Sequence, residues 1–328
     1  MEPTGLAVAE VAVAAAADSR PFRQGAYSEL PERPRRPHPY FDLASETLSM
    51  DSASFGGIDV HYRCHGSGPP LLLVHGLMTS SYSWRYVFEP LGAHYRCIAP
   101  DLPGAGRSSK PDRPYTPQAF ARWLSELVDV LDIRGCRVVG NSMGGYLCMQ
   151  WALADPSAMS RLVNLHSPGI PEARLFALHT VMAVPGAWSL LRALVHRDPL
   201  RWAHRNVHYY DESLKSVEEA REYGEPLASR EGVASFARFL GQTMSPWAMR
   251  DFVAALASRR DRGEDFVVPL QLLYAAEDPM VPPRVGDELR ALVPGASFAR
   301  LQEASHFAHV DATERFVDAV LPFLTAAG

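Results

Sequence analysis

Short runs of apolar residues alternate with segments of helical periodicity from residue 71 onward, and this alternation restricts the fold more than any other feature. Each run is apolar at consecutive positions, which is typical of strands buried on both faces in a parallel sheet covered by helices. Four such runs are LLLVHG (71–76), CIAPDLPG (97–104), RVVGNS (137–142) and RLVNLHS (161–167). The pattern predicts an α/β fold with a mostly parallel central sheet.

The segment between the second and third runs carries clear helix signals. Thr116 is followed by Pro117 at the first helical position, and Gly135 follows the last apolar residue. Between them, apolar residues recur at helical spacing: Phe120, Leu124, Leu127, Val128 and Leu131. Two further strands are predicted over 268–278 and 296–304, and a helix over 313–324. The order of elements is that of repeated β-α-β units.

One long stretch interrupts this alternation. Residues 168–266 are predicted to be mainly helical, and they include Trp188, Trp202 and Trp247. A long helical insertion between sheet strands is typical of a lid over a site, so we predict a cap here. The tryptophans suit the interior of such a lid and its substrate contacts equally. Residues 45–167 and 267–328 are then predicted to form the first and second parts of the core that this cap covers.

Residues 1–44 differ in composition from the rest of the chain. Prolines at four positions in PERPRRPHPY disfavour helix and sheet pairing and predict a flexible or surface-wrapping arm. Upstream, LAVAEVAVAAAADS resembles the core of a signal peptide, but no Lys or Arg precedes it and Glu10 interrupts it. A cytoplasmic location is therefore favoured over secretion. After the arm, Gly56 and Gly57 predict a two-residue turn that joins a β-hairpin.

Composition excludes several classes of partner. The net charge is −5 and no block is rich in Lys and Arg, so nucleic acid is not expected to bind. The four cysteines are scattered without the spacing of a zinc site, which predicts free thiols and no metal. No run approaches the roughly 20 apolar residues that span a bilayer. The sequence leaves the oligomeric state open.

Gly140-x-Ser142-x-Gly144 stands between a predicted strand and a predicted helix. In such an elbow, small neighbours allow a sharp turn and the serine hydroxyl projects above the sheet. A serine nucleophile needs a base and a carboxylate that orients the base. Asp278 and His306 each follow a later strand, and strand ends are where open α/β sheets keep their sites.

Five motifs in this order resemble the α/β-hydrolase family: HGLMTSSYSW, DLPGAGRS, GNSMGG, YAAEDPMVPP and EASHFAHVD. The resemblance covers residues 50 to 325. It implies an eight-stranded, mostly parallel sheet flanked by helices, with an inserted helical cap. It also implies that Ser142 is the nucleophile, His306 the base and Asp278 the acid, with no metal or cofactor.

The same resemblance assigns supporting roles. The backbone N–H groups of Leu77 and Met143 would form the oxyanion hole, supported by a further group of residues. This group is His75, Gly76, Gly140, Asn141 and Gly144. His75 is expected to shape the oxyanion loop, Asp101 to fix a loop, and His309 to have a structural role.

The leading hypothesis is a serine hydrolase that cleaves a small to medium, largely apolar carboxylic ester through an acyl-enzyme. Serine at the elbow disfavours the dehalogenases and epoxide hydrolases of this family, which use aspartate there. An alternative is carbon-carbon hydrolysis of 2-hydroxy-6-oxo-dienoate ring-fission products. The motif GNSMGG, with Asn141 before the serine, is similar to that of the hydrolase group that cleaves them. Leu77 and Phe307 depart from that group's pattern.

The carbon-carbon reaction also needs an arginine near the nucleophile to hold the substrate's anionic end. Arg174, Arg192 and Arg201 of the predicted cap are the candidates. A further alternative is a ligand receptor that keeps the triad but has little turnover, because fold and triad alone do not determine function.

Overall fold

The computed structural model describes residues 21 to 326. The signal-like segment within residues 1–20 lies outside the described residues. No single helix among those described is long and apolar enough to cross a membrane, although two consecutive helices bent by 101° pass that test as a pair.

One mixed sheet organises the molecule, with strand order β1-β2-β4-β3-β5-β6-β7-β8. Its strands are β1 (Ala44–Ser52), β2 (Gly56–His65), β3 (Pro70–Val74), β4 (Arg96–Pro100), β5 (Cys136–Asn141), β6 (Met159–Leu165), β7 (Leu270–Ala275) and β8 (Ser297–Leu301). β2 pairs antiparallel with β1 and β4, and all other pairs are parallel. The predicted eight-stranded, mostly parallel sheet is confirmed.

Helices surround this sheet. Within residues 21 to 326 the α-helices are α1 (Phe88–Gly92), α2 (Pro117–Val130), α3 (Met143–Ala154), α4 (Ala173–Met182), α5 (Ala187–Arg197), α6 (Pro199–Asn206), α7 (Val217–Gly224), α8 (Arg230–Arg238), α9 (Pro246–Asp261), α10 (Pro283–Leu292), α11 (Ala308–Asp311) and α12 (Thr313–Thr325). A π-helical turn over Phe239–Thr243 follows α8. Short 3₁₀ helices include Tyr27–Glu29, Tyr40–Asp42 and Ser81–Trp84.

Each central strand contributes to two apolar cores, one on either face of the sheet. In β3, Leu72 and Val74 join the core that contains α2, α3, α9 and α10. Leu71 and Leu73 point the other way, into the core that contains α1, α11 and α12. Because alternate side chains of a strand face opposite sides, only an uninterrupted apolar run can fill both cores.

The predicted helix after Thr116 forms as expected. Pro117 occupies its first turn, and the Thr116 hydroxyl accepts a hydrogen bond of 3.1 Å from the Ala119 N–H. Such a cap is worth about 1 kcal/mol because it satisfies one of the unpaired N–H groups at a helix start. The helix ends at Val130, five residues before Gly135, which has φ 77°.

The hairpin prediction was correct in its strands and wrong in its turn. Gly56 and Gly57 lie inside β2, and the loop consists of residues 53–55. Gly56 has φ 73°, a left-handed conformation that lets a three-residue loop close onto the twisted strands. The Ser52 hydroxyl accepts from the Phe55 N–H at 3.3 Å, which holds the loop together. The glycine pair therefore ends the loop and does not constitute it.

The segment between β6 and β7 contains α4 to α9. α9 lies within the predicted cap of 168–266, yet its buried Met249, Phe252 and Leu256 belong to the same apolar core as β3 and α2. α7 is joined to the core by a fully buried ion pair of 2.7 Å between Arg85 and Glu219. The boundaries of the cap as a domain remain a prediction.

The described part of the predicted arm lies across both the helical insertion and the core. The Phe22 N–H donates to the Tyr210 carbonyl at 3.2 Å, and the Val217 N–H donates to the Pro31 carbonyl at 2.9 Å. Arg36 donates to the Thr313 hydroxyl on α12 at 3.2 Å. From residue 21 the chain thus follows the surface, while the assignment of residues 1–44 as one unit remains a prediction.

Candidate active site

Ser142 lies at the turn between β5 and α3, with φ 55° and ψ −125°. Non-glycine residues rarely adopt such angles, which cost about 1–3 kcal/mol and are found mainly at functional sites. Gly140 and Gly144 make the turn possible. A Cβ on Gly144 would lie 2.4 Å from the carbonyl oxygens of Val74 and His75, and one on Gly140 would lie 2.7 Å from the next turn of α3.

His306 and Asp278 meet beside this turn. The His306 Nδ1 donates to Asp278 Oδ2 at 2.7 Å, and both side chains are buried. With the proton on Nδ1, the Nε2 lone pair of His306 is free to accept a proton. Asp278 Oδ1 also accepts the Met280 and Val281 N–H groups at 2.7 and 2.8 Å. The loop after β7 therefore holds the carboxylate in one orientation.

Burial by itself would raise the pKa of Asp278, because desolvation penalises the charged form. The His306 imidazole and the backbone N–H donors outweigh burial, and the net pKa lies below its ordinary value. Asp278 is thus a carboxylate at neutral pH. It can fix the imidazole and stabilise the imidazolium that forms when His306 takes a proton.

His166 is a neighbour of this pair that sequence reasoning missed. It follows β6 with φ 54°, and its ring centroid lies 5.6 Å from that of His306. Its Nε2 accepts the Ala275 N–H at 2.6 Å, joining the ends of β6 and β7. Burial lowers the pKa of His166 to about 3, so the ring is neutral. The only sequence signal was its place directly after the apolar run of β6.

His166, Asp278 and His306 bring possible metal-ligand atoms within 4.8 Å of one another. Their hydrogen bonds already use most of these atoms, because Asp278 Oδ2 accepts from His306 and His166 Nε2 accepts from Ala275. The geometry is that of an oriented base. The prediction that the protein needs no metal remains a prediction.

The two predicted oxyanion donors belong to segments next to Ser142. Met143 is the first residue of α3, where N–H groups have no acceptor within the helix and the helix dipole favours negative charge. Leu77 follows Gly76 in the loop after β3. Gly76 and Leu77 line the same cavity as Ser142. A Cβ on Gly76 would lie 3.0 Å from that of Ser142, so glycine allows this close approach.

His75 supports that loop from behind. It is fully buried, its Nδ1 donates to the Gly76 carbonyl at 2.9 Å, and its Nε2 accepts the Leu102 N–H at 3.0 Å. Burial lowers its pKa, so the ring stays neutral. Asn141 performs a similar task nearby, since its Nδ2 donates to the His306 carbonyl at 3.1 Å. These contacts agree with the supporting roles predicted for both residues.

Asp101 lies away from the His306 pair. Its carboxylate accepts from His61 Nδ1 at 3.0 Å, from the Ser81 N–H at 2.7 Å and from the Arg107 N–H at 2.8 Å. Burial opposes its ionisation, but these donors win and lower its pKa to about 2. Its bonds connect β2 to two loops, as a loop-fixing role requires.

His309 is enclosed by aromatic side chains. Its ring lies 4.4 Å from that of Trp84, and neither ring nitrogen has a hydrogen-bond partner among residues 21 to 326. Burial lowers its pKa well below the ordinary value, so it is neutral. These contacts suit the predicted structural role.

A cavity of about 500 Å³ opens above Ser142 and His306. Sequence reasoning did not find most of the side chains that line it, which come from the insertion and from the loop after β7. They include Leu175, Leu178, Phe236, Leu240, Met244 and Met280. Of the three cap tryptophans considered, only Trp202 lines the cavity, and of the three cap arginines, only Arg174.

Charge at the cavity wall is already paired. Arg174 forms an ion pair of 2.6 Å with Glu172 and also donates to the Met280 carbonyl. Glu172 pairs in addition with Arg284 at 2.5 Å. The wall near Ser142 is therefore mainly apolar, with one cation, Arg174, held in an ion pair.

Residues 69–313 match the family model described as alpha/beta hydrolase fold. The chain belongs to the α/β hydrolase fold family. It is also 30% identical over 308 residues to an uncharacterized protein of Mycobacterium tuberculosis (strain H37Rv), covering 90% of this chain and 86% of the relative. The resemblance inferred from the motifs is confirmed.

Two relatives with named activities are more distant. The 2-hydroxy-6-oxo-2,4-heptadienoate hydrolase of Pseudomonas putida is 27% identical over 276 residues, covering 83% of this chain and 94% of the relative. The structure of a thermophilic esterase from Thermogutta terrifontis has a TM-score of 0.68 at 20% identity, covering 85% of this chain and 98% of that one. The second likeness supports the fold alone.

Proposed function

We propose that this α/β hydrolase is a serine hydrolase that cleaves a small to medium, largely apolar carboxylic ester. One observation carries the proposal: Ser142, on a strained elbow, shares a cavity with His306, whose far ring nitrogen is bound to Asp278 at 2.7 Å. This arrangement supplies a nucleophile, a base and a group that orients the base.

In the proposed reaction, Ser142 attacks the ester carbonyl while His306 takes its proton. The N–H groups of Leu77 and Met143 stabilise the oxyanion, and each such donor is worth roughly 3–4 kcal/mol. His306 then protonates the leaving alcohol as the tetrahedral intermediate collapses to an acyl-enzyme. Water, activated by the same histidine, releases the acid and restores Ser142.

The cavity supports the substrate class. Leucine, methionine and phenylalanine side chains dominate its walls, and the guanidinium of Arg174 is paired with Glu172. A carboxylate on the substrate would have to compete with Glu172 for Arg174, and lost ion pairing would offset part of its binding. An uncharged ester meets no such penalty, and about 500 Å³ suits a small to medium molecule.

Carbon-carbon hydrolysis of a 2-hydroxy-6-oxo-dienoate is the second candidate. Arg174 at the cavity wall favours it, because that substrate has a carboxylate, and the Pseudomonas putida relative carries the name of such a hydrolase. The motif with Asn141 before the serine also resembles that of these hydrolases, although Leu77 and Phe307 depart from their pattern. The ion pair of Arg174 makes us rank this reaction below ester cleavage.

The test uses purified full-length protein with p-nitrophenyl esters of increasing acyl length and with 2-hydroxy-6-oxo-hepta-2,4-dienoate. We expect ester hydrolysis, and a fall of about 10⁴-fold or more in kcat for Ser142→Ala, because the nucleophile is lost. Ser160→Ala, on the exposed surface of β6, is the control and should retain full activity.

Three results would contradict the proposal. Hydrolysis that survives Ser142→Ala would place the nucleophile elsewhere. A kcat/KM for the dienoate above that for every ester, lost in Arg174→Gln, would favour carbon-carbon hydrolysis. Labelling of Ser142 by a fluorophosphonate without turnover of any ester would favour a ligand receptor.

A further inference from the structure

The helices α4 and α5 are bent by 101° at the short break between them and form an open hairpin with many exposed apolar side chains. Among residues 21 to 326, the large apolar residues with more than half of their surface exposed are Val181 (62%), Val184 (59%), Leu190 (62%), Leu194 (52%), Trp247 (51%) and Val130 (53%). All except Val130 belong to this hairpin or to its neighbour Trp247, whose ring packs on Phe176 and His179 of α4. Apolar side chains clustered in this way mark an interaction surface.

Little of the hairpin is covered by the rest of the protein. Between residues 173 and 197 only Met182 and Val195 are buried. Leu190 and Leu194 are four residues apart on α5 and therefore share one face of that helix. This face is left for a partner.

Charge indicates which partner fits. The whole chain has a net charge of −5, yet residues 173–206 contain a single acidic residue, Asp198, and several arginines. These arginines are Arg174, Arg192, Arg197, Arg201 and Arg205. Arg192, Arg197 and Arg205 are exposed and form no ion pair with any of residues 21 to 326. Arg197 is seven residues after Leu190 and three after Leu194, so it shares their face of α5. An apolar helical face with an unpaired arginine beside it suits an anionic lipid surface.

The hairpin also contributes to the cavity wall. Leu175 and Leu178 of α4 line the cavity that contains Ser142, and Trp202 of α6 lines it too. A molecule dissolved in lipid at the hairpin would therefore be close to the cavity. Two copies of this chain packed through the same face would bring like charges together, which disfavours a dimer there.

We propose that the α4–α5 hairpin binds the surface of anionic lipid, with Leu190 and Leu194 in the apolar layer and Arg197 at the headgroups. The hairpin lies on the surface, and neither helix has to span the bilayer. The inference concerns binding alone and does not depend on the proposed ester hydrolysis.

The experiment is vesicle co-sedimentation of the full-length chain, which requires no turnover. Vesicles of phosphatidylcholine alone are compared with vesicles of equal parts phosphatidylcholine and phosphatidylglycerol. We expect binding to the anionic vesicles, weakened by added salt. Leu190→Gln with Leu194→Gln should weaken it by about tenfold or more. Arg197→Gln should weaken it by about fivefold.

The matched control substitutions are at exposed positions outside the hairpin. Val130 of α2 is 53% exposed, which matches the 52% of Leu194. Because Val130 is outside the hairpin, Val130→Gln should leave binding unchanged. Arg122→Gln removes one exposed cation from α2 and should reduce binding much less than Arg197→Gln does. Thermal unfolding of every variant verifies the fold, and these exposed positions should tolerate glutamine.

Several results would overturn the proposal. Absence of binding to anionic vesicles, or binding equally reduced by Val130→Gln and Leu194→Gln, would do so. So would a dimer that Leu190→Gln and Leu194→Gln convert to a monomer, because a second copy would then cover the face. Binding that appears only after removal of residues 1–20 would show that this segment covers the hairpin in the full chain.

Discussion

Two buried aspartates follow parallel strands of the same sheet, and each is bound to a histidine. Asp101 follows β4 and accepts from His61 at 3.0 Å, while Asp278 follows β7 and accepts from His306 at 2.7 Å. Of these two histidines, only His306 lines the cavity that contains Ser142. A hydrogen-bonded Asp–His pair thus needs a nucleophile in front of its free nitrogen before it can act as a base.

The two carboxylates differ in what their other bonds do. Asp101 accepts backbone N–H groups from Ser81 and Arg107, in two different loops. The second oxygen of Asp278 accepts only from its own loop, at Met280 and Val281. Asp101 therefore joins separate parts of the chain, whereas Asp278 has one histidine to orient.

The largest expected effect separates the two pairs by activity. Asp278→Asn should lower kcat by about 10⁴-fold, because an amide cannot stabilise the imidazolium or keep the proton on Nδ1. Asp101→Asn, assayed on folded protein, should change kcat by less than about tenfold. Steady-state kinetics on the best p-nitrophenyl ester measures both. Equal losses of kcat in the two variants would erase the proposed distinction.

The second prediction concerns the contribution of the Asp101–His61 pair to the free energy of unfolding at acid pH. The folded-state pKa of Asp101 is lowered to about 2 from an ordinary 3.8, so the unfolded chain binds more protons between these values. The stabilisation is complete above about pH 4 and is lost as pH falls towards 2. It amounts to about 2 kcal/mol, since one pKa unit equals about 1.4 kcal/mol.

Denaturant unfolding of the wild type and of Asp101→Asn between pH 5 and pH 2.5 measures this effect. The variant should be less stable near neutrality, and its free energy of unfolding should fall less steeply with acid. Parallel curves for the two proteins would mean that Asp101 is not held as a carboxylate.

The smallest effect concerns a histidine near the base that belongs to neither pair. His309 is neutral and packs on Trp84, so His309→Phe keeps the ring contact and removes two polar atoms without partners among residues 21 to 326. The free energy of unfolding should change by less than about 1 kcal/mol, and kcat should be unaffected. A loss above about 3 kcal/mol in thermal or denaturant unfolding would reveal a hydrogen bond to that ring.

Local patterns were sufficient for the sheet and for the elbow. The alternating apolar runs predicted both sheet cores, and Thr116 with Pro117 located the start of α2. The hairpin turn was misplaced because a left-handed glycine can either form a turn or end one, and only the register of Ser52 with Gly56 distinguishes these cases. His166 was missed because its contact with the Asp278–His306 pair joins residues far apart in sequence.

The sequence by itself determined which residues can form buried parallel strands, and it placed Ser142, Asp278 and His306 after three predicted strands, because apolar periodicity and glycine spacing are local properties. Only the tertiary structure decided which histidine faces which aspartate, that Arg174 and not Arg192 or Arg201 lines the cavity, and that α9 packs with the core. It also left the apolar face of α4 and α5 exposed. Those outcomes depend on how helices distant in sequence pack, which no short pattern encodes.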